Sequence, residues 1–385
     1  MRRSWDNLLK FVKQSNMKSS FILRNSAHKL LTTLGRSFLP KPIRVLDDFS
    51  EYFKVQVIYI PTKLGIPDIL QEKPRNSSEL ASLTGVVFPD HITRWMRAAE
   101  SIGYFHFDPL TMKWENNHMS ALLRTDHPNG LAYWVRHIKD LTFTPCNKAS
   151  EALRTGENAF EMISGGMPLY QYLKNNPEEN HEFNLGMAEF TRLFKSLRED
   201  YNWVECGRIV DIAGGNGQML ADFLAIYPNL SGILFELKHI VDIANRTIHQ
   251  KYPELLSRIE YKSGSFLNSS TLPELLHNDC VTVKSTFHNF PDDVVIEALS
   301  NLKSKLLKQR ETGQRSKLFI IQMVLEEHRD SLSNYAIDLL MFLTFKARER
   351  TRQEWLGVFK SAGFKVKSII PTRTLFSIIV VDPIV

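Results

Sequence analysis

A glycine-rich turn follows a short apolar run near the middle of the chain. Residues 208–213 are mostly apolar, and Gly214, Gly215 and Gly217 come directly after them. Residues 219–224 then place apolar side chains at helical spacing. This order predicts a buried strand, a tight turn and a helix whose N-terminus opens on a ligand. Glycine suits such a turn because it adopts positive φ and lets the backbone approach the ligand closely.

Two carboxylates accompany the turn. Asp211 lies just before it, and Glu236 ends the next apolar run, where an acidic residue can accept hydrogen bonds from both hydroxyls of a ribose. Leu220 stands where a dinucleotide-binding fingerprint has its third glycine. The residues therefore favour an adenosine cofactor without a pyrophosphate, such as S-adenosylmethionine. The alternative is a left-handed turn in an α/β protein that binds no nucleotide.

Polar residues follow the other apolar runs in the same half of the chain. Ser265, Lys284 and Gln322 each end or follow a predicted strand, and His288 comes four residues after Lys284. The carboxyl ends of parallel strands meet at one edge of a sheet, so these side chains are expected at one site. A histidine there could remove a proton from a hydroxyl group. The alternative is a structural histidine.

Four segments resemble, in order, the motifs of the S-adenosylmethionine-dependent O-methyltransferases of the caffeate and acetylserotonin type. They are Asp211–Gly217, Phe235–Leu237, Lys284–Asp293 and Arg348–Thr351, and the similarity extends over residues 45–383. The resemblance implies a homodimer, a small hydroxylated substrate and catalysis without a metal. It makes His288 the general base and Glu349 its supporting acid, with Asn289 and Gln322 as further pocket residues.

The resemblance also implies binding residues. For S-adenosylmethionine they are Asp211, Gly214, Gly215, Gly217, Glu236, Ser265, Phe266 and Lys284, with Phe183, Met187 and Thr191 from one face of a preceding helix. For the substrate they are Trp134, His137, Met187 and Met341.

Several positions depart from the family pattern. Asn289 replaces the acid after the histidine, Gln322 replaces an acid expected against it, and Ser265 replaces an aspartate on the adenine side. The Gly-Gly segment before the last motif is absent and reads Phe345–Ala347 instead. A neutral amide orients an imidazole without stabilising its charged form, so we expect a weaker base.

These departures keep two other functions open. Fungal relatives of this type act as pericyclases or dehydratases, which retain S-adenosylmethionine for its positive charge and transfer no methyl group. A pocket histidine at position 137 would suit such chemistry, although His137 could equally be a helix-surface residue. The other alternative is a non-enzymatic dimer or regulator that uses its winged helix.

Strand and helix patterns alternate from residue 208 onward, which is typical of a doubly wound, Rossmann-like α/β domain. We predict strands at 208–213, 231–236, 258–261, 281–286, 317–324, 367–370 and 375–381, within a cofactor domain at 206–385. Residues 126–205 are predicted to be a helical bridge and substrate lid.

Residues 43–125 predict a winged-helix domain, and the family resemblance implies that this domain dimerises. The pattern gives a helix over 45–70 with a kink or break at Pro61, a helix capped by Asn76, and another over 89–102 stopped by Gly103. Residues 104–107 and 113–115 would form the wing. The helix over 91–102 has too few basic and amide groups to read DNA bases, so no nucleic-acid partner is expected.

The net charge of +6 belongs to the N-terminal extension. Residues 1–42 hold nine Lys or Arg against Asp6, a local charge of +8 that leaves −2 for the rest. The extension could be a helical arm, a mitochondrial transit peptide or a membrane-surface helix, and the protein is otherwise expected in the cytoplasm. Cys146, Cys206 and Cys280 lie far apart, which predicts ordinary thiols and neither a disulfide framework nor a zinc site.

Overall fold

The computed structural model describes residues 31, 35, 38–193, 196–311, 313, 315–327 and 330–384. Apart from a few positions, the basic extension predicted over 1–42 lies outside the described residues. The chain divides into two compact units, of which the second begins after Leu193. This second unit starts before the predicted boundary at 206 because the segment around Trp203 packs against Phe223 and Phe319 of the second unit. Among the described residues, no helix combines the length and the apolarity needed to cross a bilayer.

The first unit begins with four helices and the predicted two-stranded wing, since the helix predicted over 45–70 is divided into two. Its first helix continues through Pro61 and ends two residues later, because the chain turns at Gly65 with φ of 69°. Asn76 and Glu79 form a capping box, in which each side chain accepts from the other's backbone N–H. The elements are α1 (Lys41–Lys63), α2 (Ile66–Glu72), α3 (Ser77–Thr84), α4 (Pro89–Ser101), β1 (His106–Asp108) and β2 (Lys113–Glu115), with β1 and β2 antiparallel.

The rest of the first unit is helical, as predicted. A π-helical segment, Ile138–Phe143, continues the helix that carries Trp134 and His137. The helices are α5 (Ala132–His137), α6 (Thr144–Cys146), α7 (Ala149–Thr155), α8 (Ala159–Ile163), α9 (Leu169–Asn175) and α10 (Pro177–Arg192).

The second unit is a doubly wound α/β domain with a seven-stranded sheet, and each of the seven predicted strands is present. Its strands are β3 (Arg208–Ile212), β4 (Ser231–Glu236), β5 (Ile259–Ser263), β6 (Asp279–Lys284), β7 (Lys317–Gln322), β10 (Phe364–Pro371) and β11 (Ser377–Pro383). A small separate pair joins β8 (Val324–Leu325) to β9 (Arg350–Thr351). The helices are α11 (Leu197–Asp200), α12 (Gln218–Ile226), α13 (Lys238–Lys251), α14 (Asp292–Glu311), α15 (Leu332–Phe345) and α16 (Arg352–Ser361).

The order of the strands determines where a ligand can lie. Across the sheet the order is β10, β11, β7, β6, β3, β4, β5, and all neighbours from β7 to β5 are parallel. The chain moves from β3 to one side and later returns to its other side with β6. The carboxyl end of β3 is therefore the topological switch point, where α/β sheets bind their ligands. The glycine turn follows β3 directly.

The expectation of ordinary thiols is wrong for two of the three cysteines. Cys206 and Cys280 form a disulfide with their Cα atoms 5.6 Å apart, whereas Cys146 is exposed and belongs to no disulfide. The two residues are 74 positions apart in sequence, yet β3 and β6 are adjacent, and Cys280 lies opposite Ile209. Strand order, which the sequence does not show, brings them together.

Candidate functional site

The turn after β3 has the backbone geometry that its glycines predict. Gly215 and Gly217 have φ of 58° and 78°, and Gly217 is the N-cap of α12. A Cβ on Gly214 would lie 2.4 Å from Leu234 and 2.6 Å from an Asp211 carboxylate oxygen, so this glycine is required for packing. A Cβ on Gly215 would meet no atom within 4 Å, which leaves open space above the turn.

Glu236 closes onto this turn from the end of β4. Its carboxylate accepts hydrogen bonds from the backbone N–H of Gly215 (3.2 Å) and of Leu237 (2.8 Å). A carboxylate at the end of the strand beside an open, glycine-lined turn is suited to a ribose, because it can accept from two neighbouring hydroxyls. The acceptor oxygens of Glu236 beside the open turn therefore fit the ribose of an adenosine cofactor.

Asp211 is buried beneath the turn. Thr282 donates a hydrogen bond to its Oδ1 (2.9 Å), whereas Oδ2 has no partner among the described residues. Burial raises the pKa of Asp211 to about 7, although the Thr282 hydrogen bond and the Lys284 charge oppose the shift. Burial also lowers the pKa of Lys284, while Asp211 opposes that change. The Asp211–Lys284 pair is thus a poorly solvated floor under the turn, where burial disfavours the charged form of each group.

Ser265 and Phe266 follow β5 at the same edge of the sheet. Ser265 accepts a hydrogen bond from the backbone N–H of Leu267 (3.2 Å) and is tied to Thr271 through its own backbone. The Phe266 ring lies edge-on to Phe287 and Phe290, which flank His288. Phe266 thus contacts the turn that carries the predicted base.

His288 and Glu349 form the closest acid–base pair of the site. His288 lies on a 3₁₀ turn, Phe287–Asn289, and its Nδ1 is 2.6 Å from Glu349 Oε1. The Glu349 side chain is 1% exposed and that of His288 is 15% exposed. A carboxylate can only accept, so Nδ1 carries the proton of this bond and Nε2 keeps a lone pair for an incoming proton.

Gln322 contacts the backbone of the segment that leads to His288. It is fully buried at the end of β7, where its amide oxygen can accept from the backbone N–H of Ser285, Thr286 and Phe287 at 2.8–3.2 Å. These donors directly follow β6, so the amide caps the segment that leads to His288. Asn289 follows on the same half-buried turn, and Met341 is buried on α15.

Two charged residues beside this pair were not identified from the sequence as site residues. Asp338 accepts a hydrogen bond from the backbone N–H of Glu349 (2.8 Å), and burial raises its pKa. Arg350 is fully buried and hydrogen-bonded to backbone carbonyls of the His288 turn. Arg350 lies within the Arg348–Thr351 motif, but residue spacing alone does not indicate which backbone carbonyls it contacts.

The remaining predicted residues belong to the first unit. His137 is buried on α5, with its Nδ1 3.1 Å from the Tyr133 carbonyl and its ring edge-on to Phe183. Burial lowers the pKa of His137. A Cβ on Gly186 would lie 2.2 Å from His137 Nδ1, so α5 and α10 pack closely here. The expectation of a helix-surface histidine is therefore wrong.

The other first-unit residues differ in exposure. The Trp134 ring stacks on that of Phe190, with the ring centres 5.9 Å apart. The backbone N–H of Trp134 donates a hydrogen bond to the Glu189 carboxylate. Phe183 is buried, Met187 is 39% exposed, and Thr191 donates to the Met187 carbonyl. Their roles toward cofactor and substrate stay predictions.

Comparison with known proteins identifies the family of the chain. Residues 147–365, over half of the chain, match a family model described as an O-methyltransferase domain. The phenazine O-methyltransferase PhzM of Lysobacter antibioticus is 26% identical over 88% of this chain and 96% of its own length. A crystal structure of LaPhzM has a TM-score of 0.76 at 26% identity, covering 90% of this chain and all of that one.

A second solved structure has the same fold with a ligand present. CalO1, a methyltransferase in calicheamicin biosynthesis solved with S-adenosylhomocysteine, has a TM-score of 0.76 at 22% identity, covering 89% of this chain and 98% of that one. The chain belongs to the S-adenosylmethionine-dependent O-methyltransferase family of the caffeate and acetylserotonin type.

Proposed function

We propose that this enzyme transfers a methyl group from S-adenosylmethionine to a hydroxyl of a small aromatic or polyketide-like molecule, with His288 as general base. The observation that carries the proposal is the 2.6 Å contact between His288 Nδ1 and a buried Glu349 carboxylate. This contact leaves Nε2 as the nitrogen that accepts a proton. Asn289 and Gln322 are neutral where the family pattern has acids, but Glu349 keeps the family's acid and contacts His288.

The bound cofactor supplies an electrophilic methyl group on a positively charged sulfur. Glu236 and the turn at Gly215 would orient its nucleoside, and the Asp211–Lys284 floor would support that turn. His288 would take the hydroxyl proton while Glu349 stabilises the resulting imidazolium, a contribution of roughly 10²–10⁴-fold in rate.

The acceptor class is inferred from the base and from the relatives. A single histidine base is best matched to a phenol or enol, whose proton is more acidic than that of an alcohol. The phenazine relative acts, by its name, on an aromatic ring system. We assign Trp134, His137, Met187 and Met341 to the substrate pocket as part of this proposal.

Methyl-labelled S-adenosylmethionine and a panel of phenolic acceptors test the proposal. We expect label in the product. Cofactor-dependent isomerisation or dehydration without label would instead identify a pericyclase or dehydratase on this fold. No detectable cofactor binding would overturn the proposal and favour a non-enzymatic role.

The first unit offers a surface for a second copy of the chain. Leu46, Phe49 and Phe53 lie on one side of α1 and are 66%, 73% and 56% exposed. Soluble monomers rarely expose an apolar patch of this kind. We therefore propose that α1 packs against the same helix of a second copy, giving a homodimer.

A further inference from the structure

The turn that carries His288 is held by the three consecutive residues Arg348–Arg350. The backbone N–H of Arg348 donates to the His288 carbonyl (3.2 Å), and the Glu349 carboxylate contacts the His288 ring. The Arg350 guanidinium donates to the carbonyls of Phe287 (2.9 Å) and Phe290 (2.8 Å). One segment therefore binds the histidine ring, its own carbonyl and the carbonyls on both sides of it.

Arg350 is placed by contacts on its remaining faces. It is fully buried, its Nε donates to Asp292 Oδ1 (2.9 Å), and its guanidinium lies 5.1 Å from the centre of the Trp355 ring. Burial raises the pKa of Asp292, but hydrogen bonds from Arg348 and Arg350 outweigh that effect and lower the pKa overall. Asp292 is therefore ionised and compensates the buried guanidinium charge.

The residues that lead into the His288 turn are also held by Gln322. Its amide oxygen can accept from the backbone N–H groups of Ser285, Thr286 and Phe287. Phe287 is thus fixed at both its N–H and its carbonyl. Loss of the Arg350 bonds would release the carbonyls of Phe287 and Phe290, and the turn could then move relative to Glu349.

We propose that Arg350 is a positioning residue that sets the distance between His288 and Glu349. A guanidinium presents donors in a fixed planar fork, which here reaches two carbonyls and one carboxylate at once. A lysine ammonium keeps the charge but cannot span those three acceptors. Since displacement of a reacting group by about 1 Å can cost about a hundredfold in rate, a relaxed turn lowers turnover without touching the cofactor turn.

The test is a double-substitution cycle, and it rests on the proposed role of His288 as base. Arg350→Lys should lower kcat at least about tenfold, while the Kd for S-adenosylmethionine changes less than about twofold. In a His288→Ala background the same Arg350→Lys change should alter the residual turnover less than about twofold, because there is no base left to position.

Arg258→Lys is the matched control. Arg258 also donates to backbone carbonyls of the second unit, those of Leu224, Tyr227, Pro228 and Leu230, but to none in the His288 turn. The kcat of Arg258→Lys should stay within about twofold of that of the original enzyme. If the loss of guanidinium–carbonyl bonds lowered turnover in general, kcat would fall in both Arg258→Lys and Arg350→Lys.

The outcomes separate the two proposals. Additive effects of Arg350→Lys and His288→Ala, or full turnover in Arg350→Lys, overturn the positioning role and leave the base intact. Unchanged turnover in His288→Ala removes the base and this inference with it. If Arg350→Lys does not fold, Asp292→Asn replaces it in the cycle. Its side chain is 43% exposed, and the same non-additive loss of kcat is expected.

Discussion

At the scale of single residues, the proposed role of His288 as general base depends on which of its ring nitrogens contacts the Glu349 carboxylate. The motif predicts His288 and Glu349 as partners, but not that the contact is made at Nδ1. Because that nitrogen is occupied by a buried acceptor, proton uptake is assigned to Nε2. In the structure the Gln322 amide can accept from backbone N–H groups, and Glu349 is the acid that contacts His288.

Asp211 gives a residue-scale prediction about pH. Its pKa in the folded protein is about 7 against an ordinary 3.8, so the folded state holds the proton more tightly than the unfolded state. Its contribution to stability is therefore present below about pH 4 and is lost as the pH rises toward 7. Asp211→Asn should remove this loss. The difference in the free energy of unfolding between Asp211→Asn and the original protein should therefore increase with pH in favour of the variant. This difference should change by about 4 kcal/mol between pH 4 and pH values above 7.

Urea unfolding of the cofactor-free protein between pH 4 and 8 measures this difference. Thr282→Val is a useful companion, since it removes the hydrogen bond that stabilises the ionised Asp211 and should extend the loss of stability to higher pH. A difference between Asp211→Asn and the original protein that does not vary with pH would contradict the assignment.

At the scale of elements, the seven strands are predictable because buried parallel strands read as short apolar runs between helical patterns. Runs such as 209–212 and 318–321 are buried on both faces in the structure. The order of the strands is not predictable from those runs, because each could occupy any buried position in a parallel sheet. The disulfide between Cys206 and Cys280 was missed for that reason.

The arrangement of the strands also produces contacts between turns that are far apart in sequence. The position of Gln322 beneath the 285–287 segment and of Arg350 against Phe287 and Phe290 depends on β7, β8 and β9 lying beside the end of β6. A sequence motif shows that Arg350 is near Glu349. It does not show that the Arg350 guanidinium donates to backbone carbonyls of the Lys284–Asp293 motif.

The turn after β3 gives an element-scale prediction. Ala213 has φ of 56°, in the left-handed region that costs a non-glycine residue about 1–2 kcal/mol. Ala213→Gly should therefore increase the free energy of unfolding by about 1 kcal/mol. The exposed Ala225 in α12 is the matched control, since Ala225→Gly in a regular helix should decrease stability by up to about 1 kcal/mol. Equal destabilisation of the two variants would show that the turn is not strained at Ala213.

At the scale of the whole molecule, the apolar side of α1 predicts the state of association. Leu46→Asp combined with Phe49→Asp would bury two charges in the proposed contact, and should convert a dimer to a monomer. Light scattering during gel filtration measures the mass. Leu153 on α7 is 74% exposed, and Leu153→Asp should leave the dimer unchanged. A monomeric original protein, or a double variant that stays dimeric, would exclude α1 as the interface.

The charge distribution also belongs to this scale. The body of the chain is slightly acidic, and the excess of basic residues lies in the first 42 positions. The predicted arm, transit-peptide and membrane-surface roles of that segment fall almost wholly outside the described residues and stay predictions.

The most direct test of the central claim is single-turnover methyl transfer by His288→Ala, with the Kd for S-adenosylmethionine measured by calorimetry on the same sample. We expect the rate to fall at least about a hundredfold while the Kd is nearly unchanged. Glu236→Ala should behave in the opposite way and weaken cofactor binding at least about tenfold, because it removes the ribose acceptor. An unchanged rate in His288→Ala would contradict the account of the base.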